Sequence, residues 1–376
     1  MLVLALAGRW AKNIQFDLIS SKKRIIILIP AYKEDVIIVE TAKKSVRHNY
    51  LSTSFKVLVI ADSLQKDTIE KLNNIPVEVL EVNFDTSTKA QSIHAALRAV
   101  KNENFEIAMI LDADNIMEDG CLEQINSAAH NGCKAIQCHR LAKNQDTSIA
   151  QLDAISEEIN INLFRRGPAA LGLSAMPLGS GMAFEFGLLG DIFENPDILH
   201  NPAEDREIEI QLIKRKIRME FLNNVFVYDE KVSEAAVFQN QRIRWLEAQL
   251  NHIRRFFKSD LHNTTKTAVY YHVFFQSLLL PRLLYLVLSC IIIFILIIQW
   301  WFNISLVYPA SSYWVCCITT YFFVLFISIP SRYYSLKTLR AITYIPLLMI
   351  LMLKALIKTK RNRKEFLHTS KTYNNK

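Results

Sequence analysis

Leu278 to Trp301 is almost wholly apolar, interrupted by Pro281-Arg282 near its start. Crossing the hydrocarbon core of a bilayer takes about 20 helical residues. In lipid every backbone group must bond within its own segment, so this stretch is expected to be a helix. Trp300-Trp301 closes it, where aromatic rings favour the membrane–water boundary. Tyr313 to Ile329 reads as a second span. The loop between the two, Asn303 to Ser312, is uncharged, whereas the next loop carries Arg332, Lys337 and Arg340. The positive-inside bias then puts that second loop, and hence the soluble part, in the cytoplasm; the expected location is the inner (plasma) membrane, as a multi-pass protein.

A third apolar run, Ala341 to Ile357, contains Pro346 and Lys354 and precedes Lys358, Lys360, Arg361, Arg363 and Lys364. A full crossing would carry those cations outward, against the same bias. The run therefore reads as an interfacial or half-inserted helix with a basic cytoplasmic tail. Met1 to Ala7 is apolar but too short to span, and no basic residues precede it as in a signal peptide. Two readings stand, a frayed half-buried segment or the stump of a membrane helix, and the stump is preferred.

The net charge is +8, and the basic residues gather around the apolar segments. That pattern points to anionic lipid as a partner and away from nucleic acid. The six cysteines form no Cys-x-x-Cys pair, and Cys133, Cys138 and His139 fit no structural zinc spacing. Reduced, partly buried thiols are expected. The sequence also has no phosphate-binding Gly-x-x-x-x-Gly-Lys-Ser/Thr loop, no His-Glu-x-x-His and no Gly-x-Ser-x-Gly.

Ahead of the membrane segments, buried-strand patterns alternate with helical ones. Ile25 to Ile29, Lys56 to Ile60, Val77 to Val82 and Glu106 to Leu111 read as strands, and Asp35 to His48 and Thr86 to Val100 as helices. This alternation predicts an α/β fold with an open, mostly parallel sheet and helices on both faces. Ligands of such sheets bind beyond the carboxyl ends of the strands. Pro30-Ala31-Tyr32, Asp62 and Asp112/Asp114 all fall at such ends.

Four constellations carry chemistry, each beside a plainer reading. Asp112 and Asp114 point to one side of an extended backbone, as a pair for Mg²⁺ or Mn²⁺ or as a solvated turn helped by Asn115. Glu204-Asp205 opens a helix over Asp205 to Lys214, where acids either cap the macrodipole or serve as a general base. Gln241, Arg244 and Trp245 share one helix face, with Arg242 directed elsewhere. They form either a sugar platform with a phosphate cation or part of a membrane-surface helix with Arg254, Arg255, Phe256 and Phe257. Gly179-Ser180-Gly181 permits close backbone approach to an acceptor, or is a turn.

Together these residues resemble the family 2 glycosyltransferases of the GT-A fold, in the membrane branch with cellulose, chitin and hyaluronan synthases. The similarity covers nearly the whole chain. Ile29-Pro30-Ala31-Tyr32-Lys33-Glu34 looks like the opening strand and nucleotide loop, with Lys33 where an Asn is usual. Ala61-Asp62 resembles the segment whose Asp holds the uracil base. Lys89-Ala90 is similar to a lysine-led helix start near the diphosphate, with Ala90 replacing a glycine. Asp112-Ala113-Asp114 matches the metal motif, Ala203-Glu204-Asp205 matches Thr-Glu-Asp except at its first residue, and Gln241 to Trp245 matches Gln-x-x-Arg-Trp in full. Glu365 to Lys371 looks like the short Thr-x-Lys/Arg ending of related chains.

The resemblance implies a membrane-bound hexosyl- or N-acetylhexosaminyltransferase. It would move sugar with inversion from a UDP-sugar to a growing polysaccharide, forming a β-linkage. Asp114 and Asp112 would hold Mg²⁺ or Mn²⁺. Asp205, beside Glu204, would be the base. Ala31, Tyr32, Glu34, Asp62, Lys89, Asp112, Gly179, Ser180, Gln241, Arg244 and Trp245 would bind donor and acceptor. The alternatives are single-sugar transfer to a lipid-linked acceptor, or a non-catalytic nucleotide-sugar-binding subunit. An export or synthase partner subunit fits this picture. The expected organisation is a short apolar segment over 1–24, a catalytic domain over 25–258 and a membrane region over 259–376.

Overall fold

Ile25 to Ile29 are all fully buried because the strand holding them lies mid-sheet between two helical layers. Side chains alternate across a strand. Ile25, Ile27 and Ile29 accordingly enter one core, and Ile26 and Leu28 enter the other. The computed structural model describes residues 1–199, 201, 203–257, 261 and 266–359. The expected basic tail beyond Thr359, and the ending at Glu365 to Lys371, lie outside those residues.

The first half runs α1 (Leu2–Trp10), β1 (Ile25–Tyr32), α2 (Ile38–Ser45), β2 (Phe55–Asp62), α3 (Lys66–Asn73), β3 (Glu78–Val82), α4 (Lys89–Ala99) and β4 (Ile107–Ile110). It continues through β5 (Ile116–Met117), α5 (Cys121–His130), β6 (Ala135–Ala142), α6 (Ser148–Ile161) and a π-helical stretch (Asn162–Arg166) to α7 (Gly167–Ala170). Then come β7 (Met182–Glu185), α8 (Phe186–Phe193), α9 (Pro196–Leu199), α10 (Glu204–Lys214), β8 (Glu220–Asp229) and α11 (Ala235–Arg255). The eight strands form one sheet in the order β3-β2-β1-β4-β7-β6-β8-β5. Neighbours pair in parallel except β7 with β4 and β6, and β5 with β8. The mostly parallel α/β sheet read from the sequence is thus present, extended by a mixed half that the sequence pattern did not resolve.

The topology explains why the carboxyl edge collects polar residues. Tyr32 sits beside Asp62 in the β1–β2 register. Antiparallel β7 starts at this edge, so the Gly179–Gly181 turn meets the end of β4, with the Gly181 N–H donating to the Ile110 carbonyl at 2.9 Å. Leu111 to Asn115 then carries the chain from the middle of the sheet to its β5 edge.

The C-terminal part holds α12 (Ala268–Leu278), α13 (Arg282–Phe302), α14 (Ser311–Ser328), α15 (Leu336–Ile342) and α16 (Ile345–Lys358). Among the described residues α13 (21 residues) and α14 (18 residues) are long and apolar enough to cross a membrane. The pair α15/α16 is bent by 46° and makes a third crossing only if it is one broken span. Helix α6 ties this region to the sheet domain. Gln151 Nε2 donates to Thr338 Oγ1 (3.0 Å), Glu158 pairs with Arg332, and Asn162 Nδ2, just past the helix end, donates to the Ala5 carbonyl (3.1 Å) and to Ser328 Oγ (3.0 Å). The short N-terminal helix α1 is therefore docked between the π-helical stretch and α14.

Candidate active site at the carboxyl edge

Lys89 is the node of the site. Thr88 caps α4 in a reciprocal box with Gln91, which fixes the first helical turn and aims Lys89 along the sheet edge. Its ammonium donates to Asp112 Oδ1 at 2.5 Å and to the Gly179 carbonyl at 2.6 Å, and lies 3.1 Å from Glu204 Oε1. Burial alone would lower the Lys89 pKa, but Asp112 and Glu204 outweigh it and hold the pKa above its ordinary value. Glu204, at the mouth of α10, is raised, first by burial and then by Asp205 and Asp112, against the pull of Lys89.

A second chain of bonds orders the acidic turn. Ser180 Oγ accepts from the Asp112 N–H (2.9 Å) and donates to Asn115 Oδ1 (2.5 Å), and Asn115 Nδ2 donates to Asp114 Oδ1 (3.0 Å). Gly179 and Gly181 have φ of 80° and 65°, conformations that cost other L-residues about 1–2 kcal/mol, so the glycines let the turn close over Lys89. Gln137, fully buried on β6, locks that turn. Its Nε2 donates to the Ser180 carbonyl (2.9 Å) and its Oε1 accepts from the Leu178 N–H (2.8 Å).

The structure thus gathers Lys89, Asp112, Asp114, Gly179, Ser180 and Glu204 into one connected group. Asp205 is less buried than Glu204, and one of its oxygens accepts from the Arg206 N–H at 2.8 Å. Ala203 at the head of α10 makes no side-chain cap. Asn201 Oδ1 instead accepts the Ala203 N–H at 3.0 Å.

Ala31, Tyr32 and Glu34 follow the end of β1, with Asp62 alongside. Lys33 and Ser63, the residues after these strands, have φ of 55° and 58°. Asn tolerates that left-handed conformation better than Lys, so the unusual Lys33 stores backbone strain here. Asp62 is almost fully buried. Its Oδ1 accepts from Ser63 Oγ at 3.0 Å, while its Oδ2 has no hydrogen-bond partner.

Gln241, Arg244 and Trp245 lie on α11, which packs against α10, α12 and α16. Trp245 is 46% exposed. Burial lowers the pKa of Arg244. The expectation that Arg242 is directed away needs correction. It is buried against Asp153, yet its guanidinium also stacks 4.1 Å from the Trp245 ring centroid, because residues three apart are helical neighbours. Two clasps near the site were not foreseen. Arg255 grips Glu207 through two bonds (3.0 and 3.1 Å), joining α11 to α10. Arg140, Glu157, Asp229 and Lys231 form a buried four-charge frame, with Arg140 Nη1 reaching the Leu178 carbonyl at 3.4 Å. Only their polar character in otherwise apolar strand and helix patterns marked these residues.

Among the described residues no group of three or more His, Cys, Asp or Glu is placed to hold a metal. Asp112 and Asp114 offer hard oxygen donors on one turn. That suits an ion such as Mg²⁺, which takes one or two carboxylates and fills its remaining positions with phosphate and water.

An open, mostly parallel sheet with an acidic turn and a lysine at its carboxyl edge defines a GT-A-like α/β protein. The family model described as glycosyltransferase like family 2 matches residues 23–248, and the chain belongs to that family. It is accordingly a nucleotide-sugar glycosyltransferase by family. In fold it is similar to the mannosyltransferase PcManGT from Pyrobaculum calidifontis, solved in complex with GDP-Man and Mn²⁺. That likeness has a TM-score of 0.61 at 15% identity over 95% of this chain and 93% of the other. TarS of S. aureus (residues 1–349) is also similar, with a TM-score of 0.43 at 14% identity over 66% of this chain and 68% of that one. No curated protein matches the chain.

Proposed function

We propose that the protein is a membrane-bound inverting glycosyltransferase that moves a sugar from a UDP-sugar to a saccharide acceptor with β-linkage. The observation that carries this reading is the Lys89 node, which holds Asp112, Glu204 and the Gly179–Ser180 turn together at the carboxyl edge. Residues 25–258 form the catalytic unit and 259–376 the membrane region, with the catalytic unit on the cytoplasmic side. Asp62 supports UDP. One open, buried acceptor oxygen suits the single ring N3–H of uracil better than the paired N–H groups of guanine. Ala31, Tyr32 and Glu34 line the same strand end.

Asp112 and Asp114 would hold Mg²⁺ or Mn²⁺, which supplies neutralising charge for the departing diphosphate. Lys89 adds a fixed cation on the same side. Asp205 takes the proton of the acceptor hydroxyl as its oxygen attacks the anomeric carbon from the face opposite UDP, and the C–O bond to UDP breaks. Glu204 stays bound to Lys89 and sets the mouth of α10. Trp245 stacks on the acceptor sugar, with Gln241 and Arg244 beside it.

A polysaccharide acceptor and processive transfer are one form of this activity, suggested by Gln-x-x-Arg-Trp. Transfer of one sugar to a lipid-linked acceptor is the other. It is supported by the two helices that pass as crossings among the described residues, few for a polymer channel formed by one chain. Membranes containing the full chain, supplied with radiolabelled UDP- and GDP-sugars with and without EDTA, test the reading. Metal-dependent transfer from a UDP-sugar is expected, and product sizing separates the two forms. Asp205→Asn should slow transfer by roughly 10²–10⁴-fold, the scale of a lost general base. Absence of transfer from every nucleotide sugar would support a non-catalytic binding subunit instead.

A further inference from the structure

We infer that Arg242 and Arg282 form a receptor for the phosphate group of a membrane lipid, at the seam between α6, α11 and the start of α13. This rests on the proposed transferase reading, because it assigns the membrane-side end of the acceptor. Asp153 and Ser156 stand three residues apart on α6 and share one face, about 5–6 Å apart at Cβ. Asp153 takes the Arg242 guanidinium in an ion pair, and the Ser156 carbonyl and Oγ take Arg282 Nη2 at 2.5 and 2.6 Å. The two guanidiniums therefore reach the same face of α6, one turn apart.

The charges in this group do not balance. Two cations face one carboxylate, since Ser156 contributes only neutral acceptors. A buried excess charge is costly unless a counter-ion joins it. Two donors are also open, because Arg282 Nη1 and Arg242 Nε are buried without a hydrogen-bond partner. Buried guanidinium N–H groups of this kind are matched by phosphate oxygens, which accept from the planar fork in pairs.

Position names the source of the phosphate. Arg282 is the first residue of α13, the longer candidate crossing, so its side chain lies at the level where lipid headgroups end and hydrocarbon begins. The Tyr321 hydroxyl donates to the Arg282 carbonyl at 3.2 Å and fixes the backbone there. Arg242 stacks on half-exposed Trp245, which forms the outer wall of the seam. A lipid phosphate entering from the bilayer would meet the guanidiniums with its attached sugar beside Trp245.

The test uses the full chain in uncharged detergent micelles. Dodecyl phosphate, dodecanol and inorganic phosphate are titrated separately, read by Trp fluorescence and assigned with Trp245→Phe. Saturable binding of dodecyl phosphate is expected, with dodecanol inert and inorganic phosphate much weaker. Arg282→Gln should weaken dodecyl phosphate roughly tenfold to hundredfold, the scale of a charge-assisted bond. Arg282→Lys keeps the charge but loses the fork; it should bind more weakly than wild type and serves if the Gln variant does not fold. Undiminished binding by Arg282→Lys, or by folded Arg282→Gln, overturns the inference. Equal binding of dodecanol reduces the seam to an apolar groove, and equal binding of inorganic phosphate makes it a soluble-anion site; either also overturns it. UDP binding in the same samples separates the two claims. Dodecyl phosphate failing while UDP binds removes the lipid site alone, whereas the reverse removes the transferase reading.

Discussion

Replacing Lys89 with Met removes the cation that bridges Asp112 and Glu204, at 2.5 and 3.1 Å. Breaking a buried ion pair from one side costs about 3–5 kcal/mol. The side chains of Lys89 and Asp112 retain 23% and 28% exposure, so water screens part of that loss, whereas Glu204 keeps only 10%. About 2–3 kcal/mol is the expected destabilisation at neutral pH, nearer the scale of charge-assisted hydrogen bonds. For a domain of this size each kcal/mol moves Tm by about 2–4 °C, so Lys89→Met should melt roughly 5–10 °C lower by intrinsic fluorescence of the detergent-solubilised chain. The pH dependence has a definite sign. Glu204 already has a raised pKa, and without Lys89 it rises further. An acid whose folded pKa lies above its unfolded value makes the fold bind extra protons, so stability grows as pH falls through the folded pKa. The deficit of Lys89→Met should therefore shrink toward acid pH. A double-mutant cycle with Glu204→Gln should give a coupling well above the 0.3–0.5 kcal/mol that separates independent sites, about 1 kcal/mol or more. Additive losses, or a deficit unchanged by acid, would refute the node.

Three further outcomes follow from the same geometry. Asp62→Asn replaces the open acceptor oxygen with an amide whose donor can face the base, so calorimetric UDP affinity should fall roughly tenfold to hundredfold with little change in Tm. In Glu157, burial would raise the carboxyl pKa, but Arg140 and Lys231 outweigh it and lower it. Its stabilising contribution is therefore complete above the ordinary carboxylate range and lost as pH falls below about 4.5, and Glu157→Gln should flatten the acid limb of a Tm-against-pH curve. Mn²⁺ should raise the Tm of the wild-type chain by an increment that EDTA reverses and Asp114→Ala abolishes; an equal shift in Asp114→Ala would place the ion elsewhere.

The parallel half of the sheet was legible because Ile25 to Ile29 and Val57 to Ile60 form continuous apolar runs, which only a strand covered on both faces needs. The mixed half was not. β5 is two residues long, and β6 carries buried Gln137 and His139, which break the hydrophobic pattern. These side chains are polar because they stitch the Leu178–Gly181 turn and bind the backbone of β8, partners more than forty residues away in sequence. The candidate site divides the same way. Asp62, Asp112 and Asp114 announced themselves by standing at strand ends, whereas the link from Lys89 to Glu204 across more than a hundred residues left no local trace.

The sequence by itself determined the periodic features. Long apolar runs had to become membrane-length helices, and alternating buried strands and helices had to become an open α/β sheet, because hydrophobic period and length act locally. Tertiary structure decided the placement of charge. It brought Lys89 between Asp112 and Glu204, paired Arg242 with Asp153 while stacking it on Trp245, and set Arg282, at the start of the first membrane-length helix, against Ser156. Ion pairs depend on through-space distances of a few ångströms, and only the folded chain defines these.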